Sequence, residues 1–351
     1  MVYPVILAGG VGSRLWPISN NYRPKQLRAL LNDKTLLQNT YQRILQGFDQ
    51  KSIFVTSNNY LAETIREQIN IVDENLFLEP MAKGTAIAIG LAALRLSQLD
   101  KQAVLITINS DHYIKNETTY IKTIKQATKF VGKYPDKMIL VGIKPAYPET
   151  GYGYIEVGKA VVGKLHHVVS FREKPNLKTA TSYLAAGNYL WNPAIFVCRA
   201  EQLLQWYKQF LPEIYQALMA IKKAKTAEKI RQVYEKVKDI SIDVGLLEKM
   251  SDMLVLSADF GWADIGHWRS LRDVQLMEQA DGNVTNSPNV LLESNNNLLY
   301  SFSNKLVATI GVQDMILVET EDVLFLCPAD RVHEIKELLV VIRSKKLDKH
   351  L

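Results

Sequence analysis

The feature that most restricts the fold is an alternation of two hydrophobic rhythms through the first half of the chain. Residues 2–7, 52–56, 103–108 and 138–143 are short apolar or β-branched runs bounded by polar turns, the pattern of strands buried on both faces. Between them, 36–45, 60–69, 85–99 and 118–131 repeat apolar residues at helical spacing. Such alternation predicts an α/β fold, a Rossmann-like, mostly parallel sheet flanked by helices. The third helix is crowded with Ala86, Ala88, Gly90, Ala92 and Ala93, which suits close packing against a sheet. Ligands in these folds bind beyond the carboxyl ends of the strands, so the residues just after each strand matter most.

The rhythm changes at Gly151. Longer strands are expected over 151–157 and 161–171, a helix over 177–186, a strand over 194–197 and a helical block over 201–237 that Pro212 breaks. This reads as an antiparallel extension of the same domain. After Asp281-Gly282-Asn283 come short strand-like runs at 290–292, 298–300, 306–310, 315–318 and 323–326, spaced by about eight residues as in a small all-β unit. An amphipathic helix over 332–347 follows. The expected division is residues 1–282 and residues 283–351.

A chain of 351 residues is about two domains long. Its 47% hydrophobic and 22% charged residues can bury a sizeable core, which excludes a disordered or fibrous chain. No run approaches the ~18 to 20 apolar residues of a membrane span. Met1-Val2-Tyr3-Pro4 enters an apolar strand with no basic head, so neither a signal peptide nor a membrane association is expected. Cys198 and Cys327 read as buried thiols of a cytoplasmic protein. Lys and Arg number 42 against 36 Asp and Glu, a net charge of +6. The excess is scattered, so the expected partner is a small polyanion and not nucleic acid.

The decisive stretch is Leu7-Ala8-Gly9-Gly10-Val11-Gly12-Ser13-Arg14-Leu15-Trp16-Pro17. Three glycines directly after a buried strand let the backbone approach a ligand and aim amide hydrogens at phosphate. The loop lacks the lysine of a Walker loop, and Leu15 stands where the dinucleotide fingerprint wants its third glycine. Arg14 and then Pro24-Lys25-Gln26 put fixed positive charge downstream of the glycines, one bidentate and one a point charge. Amides with one Arg and one Lys can meet the charges of a triphosphate. Asp111, in Asn109-Ser110-Asp111-His112 after the strand 103–108, could cap a helix, but at that edge it also suits a Mg²⁺ shared with phosphates.

These motifs resemble the signature of the sugar-1-phosphate nucleotidyltransferases, in the Trp-Pro and Pro-Lys-Gln form of the bacterial mannose-1-phosphate guanylyltransferases. The resemblance covers nearly the whole chain. It implies a catalytic domain of the nucleotide-diphospho-sugar transferase type followed by a short left-handed β-helix-like segment, the latter on Gly311-Val312-Gln313-Asp314 and Ile316-Leu317-Val318-Glu319-Thr320. Longer relatives carry a fused cupin domain, and none is expected here. The implied reaction joins GTP and mannose 1-phosphate into GDP-mannose and pyrophosphate by metal-assisted in-line attack on the α-phosphate. Arg14, Lys25 and Asp111 are the implied catalytic residues. Leu7, Ala8, Gly9, Gly10, Gly12, Ser13, Arg14, Lys25, Glu79, Pro80, Gly84, Thr85 and Ser110 are implied to bind the nucleotide.

Further segments resemble the family in order. Gly261-Trp262-Ala263-Asp264-Ile265-Gly266 supplies Asp264, implied as the second Mg²⁺ ligand beside Asp111, with His112 structural. Gly153 in Gly151-Tyr152-Gly153-Tyr154-Ile155, Glu173 and Lys174 in Phe171-Arg172-Glu173-Lys174-Pro175, and Asn192 after Trp191 are implied to bind the sugar phosphate. Ser241-Ile242-Asp243 reads as mainly architectural. Lys83-Gly84 stands where the family shows Arg-Asn, Pro193-Ala194 where it shows Ser-Gly, and Val244-Gly245 where it shows Tyr-Ala. These departures touch substrate identity, so another sugar 1-phosphate or NTP, or a non-catalytic homologue that binds nucleotide sugars, stands as the alternative. A metal-dependent glycosyltransferase would want an Asp-x-Asp motif that Asp111-His112-Tyr113 lacks. A homodimer through the β segment or the terminal helix is a further expectation.

Overall fold

The computed structural model describes residues 1–10, 12–20, 23–276, 282–303 and 305–351, apart from the side chain of Ser13. Val11 of the glycine loop, the Ser13 side chain and Asp281 of the expected junction therefore lie outside the described residues. The chain gathers into two compact units, neither of them continuous in sequence. The first comprises Met1–Gly9, Thr40–Ser110 and Ile114–Trp262; the second comprises Gly10–Asn39, Asp111–Tyr113 and Ala263–Leu351.

A ten-stranded sheet organises the first unit. Its strands are β1 (Val2–Leu7), β2 (Phe54–Asn58), β3 (Leu76–Glu79), β4 (Val104–Asn109), β5 (Met138–Ile143), β6 (Gly153–Val162), β7 (Leu165–Arg172), β8 (Tyr189–Asn192), β9 (Phe196–Arg199) and β10 (Met253–Ala258). They lie in the order β10-β7-β6-β8-β5-β9-β4-β1-β2-β3, with β10 also beside β5. The neighbours β4, β1, β2 and β3 are parallel, as the alternating rhythm predicts. Their register sets Leu7 opposite Asn109 and Asn58 opposite Glu79, which lines up four carboxyl ends on one edge. The antiparallel pairings of β6, β7, β8 and β9 extend the same sheet.

The helix Gly84–Leu99 is buried nearly all round, because its small residues let two further helices close over it. A Cβ on Gly90 would stand 2.7 Å from Leu218 and 2.8 Å from Tyr207, on the helices Pro212–Lys223 and Ala200–Phe210. Its small face therefore serves helix packing as well as the sheet. Pro212 does not merely interrupt a helical block: it occupies the first turn of its own helix, where its missing N–H costs nothing.

In the second unit, Val284–Thr285, Leu298–Ser301 and Met315–Glu319 pair in parallel, as do Asn289–Leu292 and Val307–Ile310. Successive short parallel strands at near-constant spacing stack as turns of a β-helix. The loop after β1 packs here: Leu15, Trp16 and Ile18 share a core with Leu298, Ile316, Val318 and Phe325. Trp268 Nε1 donates to Trp16 O at 2.8 Å, and Trp16 Nε1 to His350 O at 2.6 Å. Among the described residues no helix is long and apolar enough to cross a membrane.

Candidate active site

In the second unit, Lys25 opens the short helix Lys25–Leu27 and is buried there. Its ammonium stands 2.7 Å from Asp111 Oδ2 and 3.6 Å from Asp264 Oδ1, and donates to Ile265 O at 3.0 Å. Gly12, at φ +69°, makes room for it: a Cβ there would fall 2.6 Å from Lys25 Cγ. Burial by itself would lower the lysine's pKa, but Asp111 and Asp264 outweigh it and hold the pKa above its ordinary value. Burial likewise works against a charged Asp264, yet Lys25, His112, Arg14 and His267 together draw its pKa down. The guanidinium of Arg14 is near, with Nη2 3.3 Å from the Cβ position at Gly266.

Asp111, His112 and Asp264 each offer a ligand atom, all within 4.8 Å of one another. Two carboxylates facing each other across a cation suit a hard divalent ion, which takes oxygen ligands and few of them from protein. The cation now seated between them is the Lys25 ammonium.

In the first unit, the strand ends hold the backbone before the glycines. Ser110 Oγ donates to Leu7 O at 2.7 Å, Ser57 Oγ to Ala8 O at 2.9 Å and Asn58 Nδ2 to Gly9 O at 3.0 Å. Asn58 Oδ1 is buried with no hydrogen-bond partner. Glu79, which ends β3 ahead of Pro80, is 4% exposed. Its Oε2 lies 3.9 Å from the Cβ position at Gly9, and its Oε1 accepts from Tyr234 at 3.3 Å. Burial pushes the Glu79 carboxyl up to about 8, against a smaller downward pull from the Tyr234 hydroxyl.

That shift has a measurable consequence. Between its ordinary 4.5 and about 8, folded Glu79 keeps a proton that the unfolded chain has released, so stability falls as pH rises through this window. The slope contributed is at most ~1.4 kcal/mol per pH unit. Urea unfolding at pH 5 and pH 8 is expected to show a stability loss in the native protein that Glu79→Gln lacks. An equal loss in both proteins would remove Glu79 as its source.

The sugar-side residues form a connected set in the same unit. β6 and β8 set Gly153 opposite Asn192, and a Cβ on Gly153 would stand 2.7 Å from Glu173 Oε2 and 3.3 Å from Asn192 Cβ. Lys174, at φ +45°, turns its ammonium to 2.5 Å from Glu173 Oε1. Asn192 Nδ2 donates to Asp243 Oδ1 at 3.0 Å, and Ile242 N to Thr85 Oγ1 at 2.9 Å. Burial first, and then the Glu173 charge, raise Asp243 to about 6. A Cβ on Gly84, at φ +79°, would lie 2.4 Å from Ile240 O, so glycine suits both the backbone angle and the space at this departure from the family.

The structure thus joins Lys25, Asp111 and Asp264, with Arg14 close by, and separately joins Gly153, Glu173, Lys174 and Asn192. The strand ends collect Leu7, Ala8, Gly9, Glu79 and Ser110. Gly10 accepts from Gln26 Nε2 through its carbonyl at 2.8 Å. Sequence reasoning did not single out Asn58 or Tyr234 and read Asp243 as mainly architectural; the structure places them against Gly9, Glu79 and Asn192 respectively. The only local sign was a polar residue closing an apolar strand, as Asn58 does.

Residues 3–280 match the Nucleotidyl transferase family model. The chain belongs to the nucleotidyl transferase family. Residues 287–341 match the MannoseP isomerase/GMP-like beta-helix domain. Over 364 aligned residues the chain is 35% identical to a mannose-1-phosphate guanylyltransferase of Salmonella montevideo, covering 100% of this chain and 76% of that protein. A mannose-1-phosphate guanylyltransferase of Escherichia coli (strain K12) is 35% identical, over 99% of this chain and 75% of its own. A crystal structure described as a mannose-1-phosphate geranyltransferase from Thermus thermophilus superposes with a TM-score of 0.88 at 28% identity, over 97% of this chain and 99% of that one. The family assignment makes this chain a nucleotidyltransferase, an enzyme class that acts on a nucleoside triphosphate and a sugar 1-phosphate with a divalent metal.

Proposed function

We propose that this nucleotidyltransferase joins GTP and mannose 1-phosphate into GDP-mannose and pyrophosphate. The observation that carries the reading is the 35% identity across the whole chain to mannose-1-phosphate guanylyltransferases. A phosphate oxygen of the sugar phosphate attacks the α-phosphorus in line, and the bond from that phosphorus to the oxygen bridging to the β-phosphate breaks. The nucleophile is already an anion at neutral pH, so no general base is needed and catalysis comes from positioning and charge neutralisation.

The residues divide this work. Amides of the loop Gly9, Gly10, Gly12 and Ser13 hold the triphosphate, while Arg14 and Lys25 meet the charge of the leaving pyrophosphate. Pro80, Gly84 and Thr85 flank the nucleotide. Guanine presents two adjacent donors, and the buried acceptors Glu79 and Asn58 Oδ1 suit them; donors from a base would also favour the ionised carboxylate. Lys174 neutralises the incoming phosphate, and Glu173 and Asn192 take sugar hydroxyls beside Gly153. The metal is Mg²⁺, held by Asp111 and Asp264, and when bound it supplies Lewis-acid polarisation of the phosphate oxygens. The donor set supports it, since a cation already stands between the two carboxylates. Residues 1–282 serve as the catalytic domain and 283–351 as its β-helix-like companion with the terminal helix. The free thiols Cys198 and Cys327 suit a cytoplasmic setting.

The test is a panel of the four NTPs against several hexose and heptose 1-phosphates, scored by pyrophosphate release. GTP with mannose 1-phosphate is expected to give the highest kcat/KM. A different pair turning over tenfold better would replace the substrates. Tight binding of GDP-mannose without pyrophosphate release would instead identify a non-catalytic homologue.

A further inference from the structure

A cavity of about 970 Å³ opens among the helices Ala200–Phe210, Pro212–Lys223 and Ala227–Lys236 of the first unit. It contains none of the residues assigned above. Its floor is hydrocarbon: Phe210, Ala217, Ala220, Val233, Val237 and Ile240. Lysines 223, 229, 236, 238 and 249 stand among its lining residues, with Glu213 the one carboxylate there. Among the described residues, none of these five ammonium groups has a carboxylate partner; Lys249 alone reaches a protein acceptor, Phe210 O at 3.4 Å.

An apolar space of this size, within the usual range for small-ligand sites, lined also by five lysines against one carboxylate, calls for a particular occupant. A nucleoside or sugar would leave its hydrogen-bonding groups unmet on a hydrocarbon floor. A purely apolar molecule would gain nothing from the lysines. We propose that the cavity binds an anionic amphiphile, a single hydrocarbon chain carrying a phosphate, with the chain on the floor and the head group among the lysines. Each buried methylene adds to affinity, and lysines bind phosphate as compact point charges.

The far wall gives such an occupant a connection to the candidate site. Ile240 lines the cavity, and its carbonyl accepts from Ala86 N at 3.2 Å in the first turn of the helix that begins at Gly84. The next residues carry the bonds to Thr85 and Asn192.

Isothermal titration of the full chain with monomeric dodecyl phosphate tests the proposal, with inorganic phosphate and dodecyl maltoside as the two halves of the ligand. Saturable one-to-one binding of dodecyl phosphate is expected, with the other two at least tenfold weaker. The double variant Lys229→Glu with Lys236→Glu lies on the exposed rim and is expected to keep its fold and lose roughly tenfold or more in affinity. Ala217→Trp, which fills the floor, is expected to abolish binding. Equal binding of the maltoside, equal binding of inorganic phosphate, or undiminished affinity in the charge-reversed protein would each overturn the proposal. Pyrophosphate release is not the readout, so either result leaves the proposed reaction standing or falling on its own test.

Discussion

Asp111→Ala is expected to stop nucleotidyl transfer while the protein stays folded. Losing one preorganised charge contact in an active site costs on the order of 10² to 10³ in kcat, and Asp111 is half of the carboxylate pair assigned to the metal, so the loss should reach or exceed that range. The fold survives for a structural reason. Asp111 sits at the end of β4 with its side chain 23% exposed, and Asp264 remains near Lys25 as a counter-charge. The check is kcat at saturating divalent metal together with the melting temperature. A variant that turned over at a near-native rate would overturn the metal assignment, and one that melted tens of degrees lower would make Asp111 a structural residue.

Lys25→Met is expected to produce the largest loss of stability among single changes at the site. The lysine side chain is only 9% exposed, and removing it leaves the carboxylates of Asp111 and Asp264 facing each other with no cation between them. Removing one member of a buried ion pair costs on the order of 3 to 5 kcal/mol. The partial exposure of both aspartates puts the expected figure near ~3 kcal/mol. A divalent cation added to the variant supplies the missing charge, so it should restore more stability to Lys25→Met than it adds to the native protein. Urea unfolding with chelator and with Mg²⁺ measures both quantities. Equal metal-induced stabilisation of the two proteins would show that the lysine and the ion do not compete for the carboxylates.

Much of the architecture was legible because it is written in local periodicity. The strands Val2–Leu7 and Met138–Ile143 and the helix Leu177–Ala186 fall on the expected residues, since each has a clean rhythm with polar ends. β3 and β8 did not show in the sequence: at four residues apiece they are too short for a period to declare itself. β2 begins two residues later than expected because 50–52 make a short helical turn first. The terminal helix is likewise entered through a turn over Ala329–Glu334, which apolar spacing alone reads as continuous helix.

Sequence alone determined which chemical groups stand just beyond the strands it made legible: glycines after β1, Ser110-Asp111 after β4, and the motif around Asp264. Chain order suffices for that, because a strand delivers whatever follows it to the sheet edge. Only the tertiary structure decided how those groups act on one another. It turned Lys25 onto Asp111 and Asp264, 86 and 239 residues away in the chain. It put the Tyr234 hydroxyl against Glu79, and Asp243 against Asn192. The reason is physical: Coulomb attraction and the cost of removing a charge from water depend on distance and burial in space, and neither is a property of position along the chain.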